Sequence, residues 1–181
     1  MKSADGDDLW GYATTLYARP GVAASCLVLQ DEHQLDVNVL LYCFWLAGGE
    51  SNAAAVDWPS LVAETSRWQA CVVSPLRSLR RRLKVQATLG ERASFLRDRL
   101  MDCELRAEAV EQAALPGWSG SPPVPPPALI PSQAAAQHLS AYCRTLNLPL
   151  ADALIEALAR LLAQVYDLSP ANARALLAAA T

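Results

Sequence analysis

Residues 36–45 read DVNVLLYCFW, continue into Leu46 and Ala47, and stop at the pair Gly48 and Gly49. A membrane-spanning helix needs about 20 apolar residues. The run from Val37 to Ala47 is too short for that and carries Asn38. A central parallel strand would sit among alternating strand and helix patterns, which are missing around it, whereas a Gly pair is a helix stop. Asp36 is a natural N-cap, its carboxylate placed to accept from the free N–H groups of Asn38 or Val39. The stretch therefore predicts a helix over 36–47 that is apolar on every side and so is buried. Its surroundings must be other helices, and the fold class is all-α.

The flanking sequence supplies them at 3.6-residue spacing. Leu9, Tyr12, Ala13, Leu16 and Tyr17 form one stripe of a helix over 8–18, and Val22, Cys26 and Leu29 form the inner side of a second, closed by the polar DEHQ at 31–34. A helix starts at Asp57, with Pro59 in its first turn and Trp58, Leu61, Val62, Thr65, Trp68 and Val72 on one face. Pro75 removes a helical hydrogen bond and clashes with the preceding turn, so a kink, or a new helix capped by Ser74 with Leu76, Leu79 and Leu83 inward, is expected there. Leu89, Ala93, Leu96, Leu100, Cys103, Ala107, Val110 and Ala114 mark a long helix across 88–115. The segment PGWSGSPPVPPPALIPS, 116–132, reads as a semi-rigid linker. Helices over 132–147 and 150–168 and a short last one capped by Ser169–Pro170 follow. The expected organisation is a helical core domain over 1–115, the linker over 116–132, and a C-terminal helical segment over 133–181. Those last helices are too short to stand alone and must dock on the first part or on a partner.

The chain of 181 residues is 52% hydrophobic and 18% charged, with a net charge of -3. It therefore has no global field for nucleic acid or an anionic membrane. Cys26, Cys43, Cys71, Cys103 and Cys143 are odd in number and unpaired in sequence, which suits small buried hydrophobes in a reducing cytosol. The acidic opening MKSADGDD lacks the apolar stretch of a cleavable export signal.

Chemistry is thinly supplied. Glu104, Glu108 and Glu111 share a helix face, but a di-iron bundle needs Glu-x-x-His pairs, and the histidines are only His33 and His138. The expected role of that acidic row is a solvated face. Zinc-ligand spacing, a nucleophile elbow, a P-loop and a Gly-rich dinucleotide turn are all missing, so no metal, no cofactor and no catalytic residue is assigned. Asp31, Glu32 and Asp36 bear a loose likeness to the aspartate-rich motifs of isoprenoid synthases without the second cluster that such a site needs. The strongest local feature is PLRSLRRRLK, 75–84. Arg77, Arg80, Arg81 and Lys84 make a cationic ridge, with Arg82 at its flank, able to fork onto phosphates or a partner's carboxylates. The competing reading pairs it with the acidic side of the next helix. It lacks interleaved aromatics for stacking, so nucleic acid would gain phosphate contact without sequence readout. Trp10, Trp45, Trp58 and Trp68 fall on inner faces, while Trp118, in the linker, is a candidate docking anchor.

The blocks LWGYATTLYARPGV (9–22), CLVLQDEHQLDVNVLLYCFWLA (26–47), VVSPLRSLRRRLK (72–84) and ELRAEAVEQ (104–112) together resemble a proteobacterial domain family of unknown function over residues 9–115. The resemblance implies a bacterial cytosolic protein and carries over no catalytic residues. Two functions follow as expectations. The first is a non-enzymatic interaction or adaptor protein that binds a protein partner through Arg77, Arg80, Arg81, Lys84 and Trp118. The alternative is a helical pocket, with or without catalysis, for a lipid or isoprenoid-like ligand, with Asp31, Asp36 and Asn38 at its mouth.

Overall fold

Asp36 caps the decisive helix: its Oδ1 accepts the N–H of Asn38 at 2.8 Å and of Val39 at 3.3 Å. These contacts come from a computed structural model that describes residues 6–48, 53–85, 90–120 and 129–180, among which there is no strand. The capped helix, α3 (Val37–Gly48), buries every residue from Asn38 to Ala47 except the half-buried Trp45. It is sheathed by α1 (Gly6–Tyr17), α2 (Val22–His33), α6 (Gly90–Trp118) and α7 (Pro131–Thr145). The all-α reading holds.

The turn into α3 is tight. Gln34 adopts φ 58°, its N–H bonding Gln30 O at 3.1 Å, while Leu35 N–H reaches Leu29 O at 3.1 Å. This left-handed helix ending satisfies the last carbonyls of α2 and delivers Asp36 to its capping position. Helix α4 (Trp58–Trp68) begins as its sequence requires, with Asp57 Oδ1 accepting Ser60 N–H at 3.0 Å and Pro59 in the first turn. It does not stop before Pro75. Gln69–Val73 form a π-helical turn in which Ser74 N–H bonds Gln69 O, and α5 (Ser74–Val85) continues from it. A proline inside a regular helix clashes with the carbonyl four residues earlier, and the wider turn makes room for the ring.

Helix α6 runs through Pro116 as far as Trp118. Its end is fastened to the core, with the Ser119 and Tyr42 hydroxyls bonded at 2.8 Å and Asp57 N–H donating to Ser119 O at 2.8 Å. Thus the first residues of the expected linker are helical and packed, Pro131 and Ser132 already belong to α7, and residues 121–128 lie outside the described set. Helix α7 packs on α3 and α4, and α8 (Asp152–Tyr166) packs on α2 and on α9 (Pro170–Ala179). Ser25 Oγ donates to Gln164 Oε1 at 2.8 Å and Arg19 Nη1 to Val165 O at 2.8 Å, tying α8 to the first helices. One apolar cluster extends from Leu9 in α1 to Leu177 in α9. Among the described residues no helix is long and apolar enough to cross a membrane.

Three expectations about inner faces need correction. Trp10 is exposed, because α1 turns Leu9, Ala13 and Leu16 inward and leaves the residue after Leu9 pointing away. Cys26, Cys43 and Cys143 are buried, but Cys71 and Cys103 are exposed, the first on the π turn and the second on the outer side of α6. On α6 itself Leu96, Cys103 and Val110 face outward while Glu104, Ala107, Glu111 and Leu115 are buried. The helix is rotated from its apolar stripe because its neighbours present donors rather than hydrocarbon.

Phe44 has no exposed surface, and its ring lies 6.0 Å from that of Tyr166, joining α3 to α8. Phe44→Ala is expected to lower unfolding free energy by about 3–5 kcal/mol, read from the urea midpoint at unchanged slope.

Candidate functional site

The rotated face of α6 meets three helices at once. Glu104 Oε1 accepts Arg77 Nε at 2.7 Å and its Oε2 accepts Arg80 Nε at 2.6 Å, while Glu108 Oε1 accepts Arg77 Nη2 at 2.8 Å. The side chains of Glu104 and Arg77 are only 7% and 19% exposed, so this is an interior ion pair rather than a surface one. One turn further, Glu111 Oε2 accepts Asn38 Nδ2 at 2.7 Å and Gln69 Nε2 at 2.8 Å, and Gln112 Nε2 donates to Asn38 Oδ1 at 2.7 Å. Asn38, the polar interruption in the apolar run, is therefore the link between α3 and α6. Gln69 is the first residue of the π turn and the link from α4.

Burial and pairing pull these carboxyls apart. Burial acts to raise Glu104, but the hydrogen bonds from Arg80 and Arg77 together outweigh it and hold that carboxyl below its ordinary value. Glu108 is raised, its burial exceeding the pull of Arg77. Glu111 is pushed up to about 8, mainly by burial and further by the charge of Asp36. Asp36 is raised by burial too, against the helix N–H bonds of Val39 and Asn38. Glu111 Oε1 and Gln112 Oε1 are buried with no donor among the described residues.

A cleft of about 250 Å³ opens above this layer. Its walls are Gln30, Gln34 and Leu35 at the end of α2, Asp36, Val62, Thr65 and Ser66 of α4, Gln69, Ser74 and Arg77 beyond the π turn, and Tyr142 and Leu146 of α7. The Tyr142 hydroxyl accepts Asp36 N–H at 3.0 Å. Past Arg77 the cleft broadens into a shallow groove bordered by Asp31, Ser78, Arg81 and Arg82.

The sequence-derived candidates separate. Arg77 and Arg80 turn inward to Glu104, whereas Arg81, Arg82 and Lys84 are exposed and form no ion pair with another described residue. Trp118 is half-buried against the core at the end of α6. Asp36 stands in the cleft, Asp31 is exposed on the outer groove, and Asn38 is buried beneath, so these three do not share one mouth. The cleft offers only Leu35, Val62 and Leu146 as apolar walls, too few for an isoprenoid chain. The acidic row expected to be solvated is the opposite: Glu104 and Glu111 are buried because the arginine ridge and Asn38 supply their donors. Gln112, Gln69 and Tyr142 escaped the sequence reading as site residues, and Glu111 was noticed only as part of the row expected in solvent. Two complementary charged rows at matching helical spacing were the available signal for α5 and α6, while Gln69 depends on a π turn that only Pro75 hints at.

A family model described as a protein of unknown function (DUF2390) matches residues 8–115, more than half of the chain, and the chain belongs to that family. No curated protein and no solved structure matches it. The blocks that carry the resemblance converge in space, since Asp36 and Asn38, Arg77 and Arg80, and Glu104, Glu108 and Glu111 are the members of the buried layer.

Glu111 sets a pH dependence. An unfolded glutamate ionises near 4.5, and the folded one holds its proton up to about 8. Between those values the folded state binds more protons, so stability falls as pH rises through the window. Asp36 and Glu108, both raised by burial, act in the same sense, and Glu104, held down by Arg80 and Arg77, acts in the opposite one. Glu111→Gln keeps an acceptor for Asn38 and Gln69 and removes the charge. Its melting temperature is expected to exceed the parent's by about 5 °C or more at pH 8, with the gain shrinking toward pH 5 in melts followed by circular dichroism.

Proposed function

We propose that this member of the DUF2390 family is a non-enzymatic, cytosolic interaction protein whose binding surface is the outer side of α5 and of α6 as far as Val110. One observation supports it above the rest. Of the nine large apolar side chains that stand exposed among the described residues, six belong to this helix pair: Leu79, Phe95, Leu96, Met101, Leu105 and Val110. A chain that buries almost everything else of that kind leaves such groups in water where a partner covers them. Around them Arg81, Arg82, Lys84, Arg92 and Arg106 are exposed without an ion pair to a described residue, while the acids Asp98 and Asp102 are paired with Arg97 and Arg99. The surface is thus apolar with a basic surround on a protein of net charge -3. It suits an amphipathic acidic segment of a partner protein.

The division of the arginine ridge follows from the same geometry. Arg77 and Arg80 hold α6, and the recognition role falls to Arg81, Arg82 and Lys84. Arg81→Glu combined with Lys84→Glu is expected to leave the melting temperature within about 2 °C of the parent. Arg77→Ala is expected to cost about 3 kcal/mol or more, because it strands the carboxylate of Glu108 and leaves Glu104 with Arg80 alone. A photoreactive residue at Leu96 should form a discrete protein adduct in a bacterial lysate that the same residue at Asn172 of α9 does not form. The adduct should vanish in the Arg81→Glu, Lys84→Glu background. Equal labelling from both positions would exclude the surface.

A further inference from the structure

The groove that continues the cleft runs between the end of α2 and one flank of α5. Ser74, Arg77, Ser78, Arg81 and Arg82 border it from α5, and their helical spacing gathers them along a single side. Gln30, Asp31 and Gln34 stand opposite. Every described residue on this border is polar, unlike the outer side of α6 with its exposed hydrocarbon. The charges along it do not cancel. Arg77 is balanced by Glu104 and Glu108, but Arg81 and Arg82 form no ion pair with a described residue, and Asp31, the one acid on the border, pairs with none of the three. Arg77 is the fixed member: Glu104 holds its Nε at 2.7 Å and Glu108 its Nη2 at 2.8 Å, and Nη1 has no partner among the described residues. A guanidinium locked in this way has little side-chain freedom left to lose when a ligand arrives.

We infer that the groove and the cleft together bind a small phosphate monoester of a hydroxyl-rich compound, a sugar phosphate, with the phosphate on Arg81, Arg82 and the Ser78 hydroxyl and the sugar reaching past Arg77 to Gln30, Ser66 and Gln69. A phosphate monoester carries about -1.5 to -2 charge and strong acceptor oxygens, and guanidinium groups fork onto such oxygens. The unpaired arginines of the groove supply what that head needs. Beyond Arg77 the polar walls change from charged to neutral: Gln30, Gln34, Thr65, Ser66 and Gln69 carry amide and hydroxyl groups, which both donate and accept as sugar hydroxyls do. Gln34 Nε2 is tied back to Asp31 O at 3.1 Å, which leaves its Oε1 as an acceptor. A cleft volume of about 250 Å³ equals roughly eight waters at about 30 Å³ each, room for a pentose or hexose ring and too little for a peptide. Leu35, Val62 and Leu146 are too few to house an acyl chain. Asp36 lines the cleft and not the groove, so the phosphate meets Asp31 alone among the acids, and that carboxylate can accept from a ligand hydroxyl. This inference goes beyond the protein-interaction reading and does not rest on it.

The test uses the full chain with ribose 5-phosphate and glucose 6-phosphate, against ribose, glucose, inorganic phosphate and sulfate at matched ionic strength, in melts and calorimetric titrations. At least one sugar phosphate should raise the melting temperature by about 3 °C or more at saturation and bind about tenfold or more tighter than inorganic phosphate, while the free sugars do nothing. Ser78→Glu, at an exposed position, sets a carboxylate one helical turn before Arg81 and Arg82 and should weaken binding about tenfold or more. Ser66→Phe, exposed on the cleft wall, fills the space for the sugar and should reduce its affinity to that of inorganic phosphate. Ser66 has no place on the surface of α5 and α6, so this variant keeps the Leu96 adduct, and failure here is distinguishable from failure of that surface. Inorganic phosphate bound as tightly as either sugar phosphate would mean an adventitious ion only, and capture by phosphatidylglycerol vesicles in preference to the soluble esters would assign the groove to a lipid headgroup. Either result, no response to either sugar phosphate, or a response that survives both substitutions overturns the inference.

Discussion

A carboxylate in a protein interior is tolerated only where donors already stand in place, and in this chain that requirement fixes how α6 lies against its neighbours. Arg77 reaches Glu104 and Glu108, whereas Arg80 reaches Glu104 alone, so α5 and α6 run antiparallel with their heights set by these bonds. The apolar stripe of α6 loses the contest: Leu96 and Val110 are left in solvent so that Glu104 can meet Arg77 and Arg80 and Glu111 can meet Asn38 and Gln69. Hydrocarbon packing is indifferent to small rotations of a helix about its axis. Forked guanidinium bonds are not.

The same layer ties the helices into one unit. Asn38 spends both ends of its amide on α6, donating to Glu111 and accepting from Gln112, so the most apolar of the described helices is held in register by a buried amide, with the Tyr42 hydroxyl adding its bond to Ser119. Gln69 adds α4 to the arrangement. On the opposite side, α7, α8 and α9 close the core with alanine, leucine and tyrosine, and their polar ties to the first helices run through Ser25, Arg19 and Gln164 and through the Tyr142 hydroxyl at Asp36. One flank is specified mainly by polar pairing and the other mainly by shape.

Much of the architecture was legible in the sequence. Helix starts at Asp36, Asp57 and Ser169 were marked by side chains whose capping bonds can be named in advance, and the buried run of α3 could belong only to the centre of a helical body. The faces of α5 and α6 were not legible, since residue-by-residue hydropathy assigns Glu104 and Arg77 to water and their mutual satisfaction exists only after the helices meet. The cleft was half visible: Asp36 was singled out, but Gln30, Gln69 and Tyr142 come from segments far apart in sequence and converge through packing alone. Trp118 was placed in a linker because Pro116 and Gly117 precede it. A proline near the C-terminal end of a helix forfeits one backbone bond, and the contacts of Ser119 with Tyr42 and Asp57 hold the segment in place regardless.

The widened turn at Gln69–Val73 has a geometric meaning beyond housing a proline ring. Each residue advances an α-helix by about 100°, so one surplus residue at this point acts as a phase setter for all that follows. Upstream, α4 keeps Trp58, Leu61 and Thr65 toward the core; downstream, the phase is offset so that Arg77 and Arg80 confront α6. Loss of a single residue between 69 and 73 would turn both guanidinium groups away together and rotate the whole of α5 into a different face. Chain length in that short interval is as strictly specified as residue identity, in contrast to what surface connections ordinarily demand.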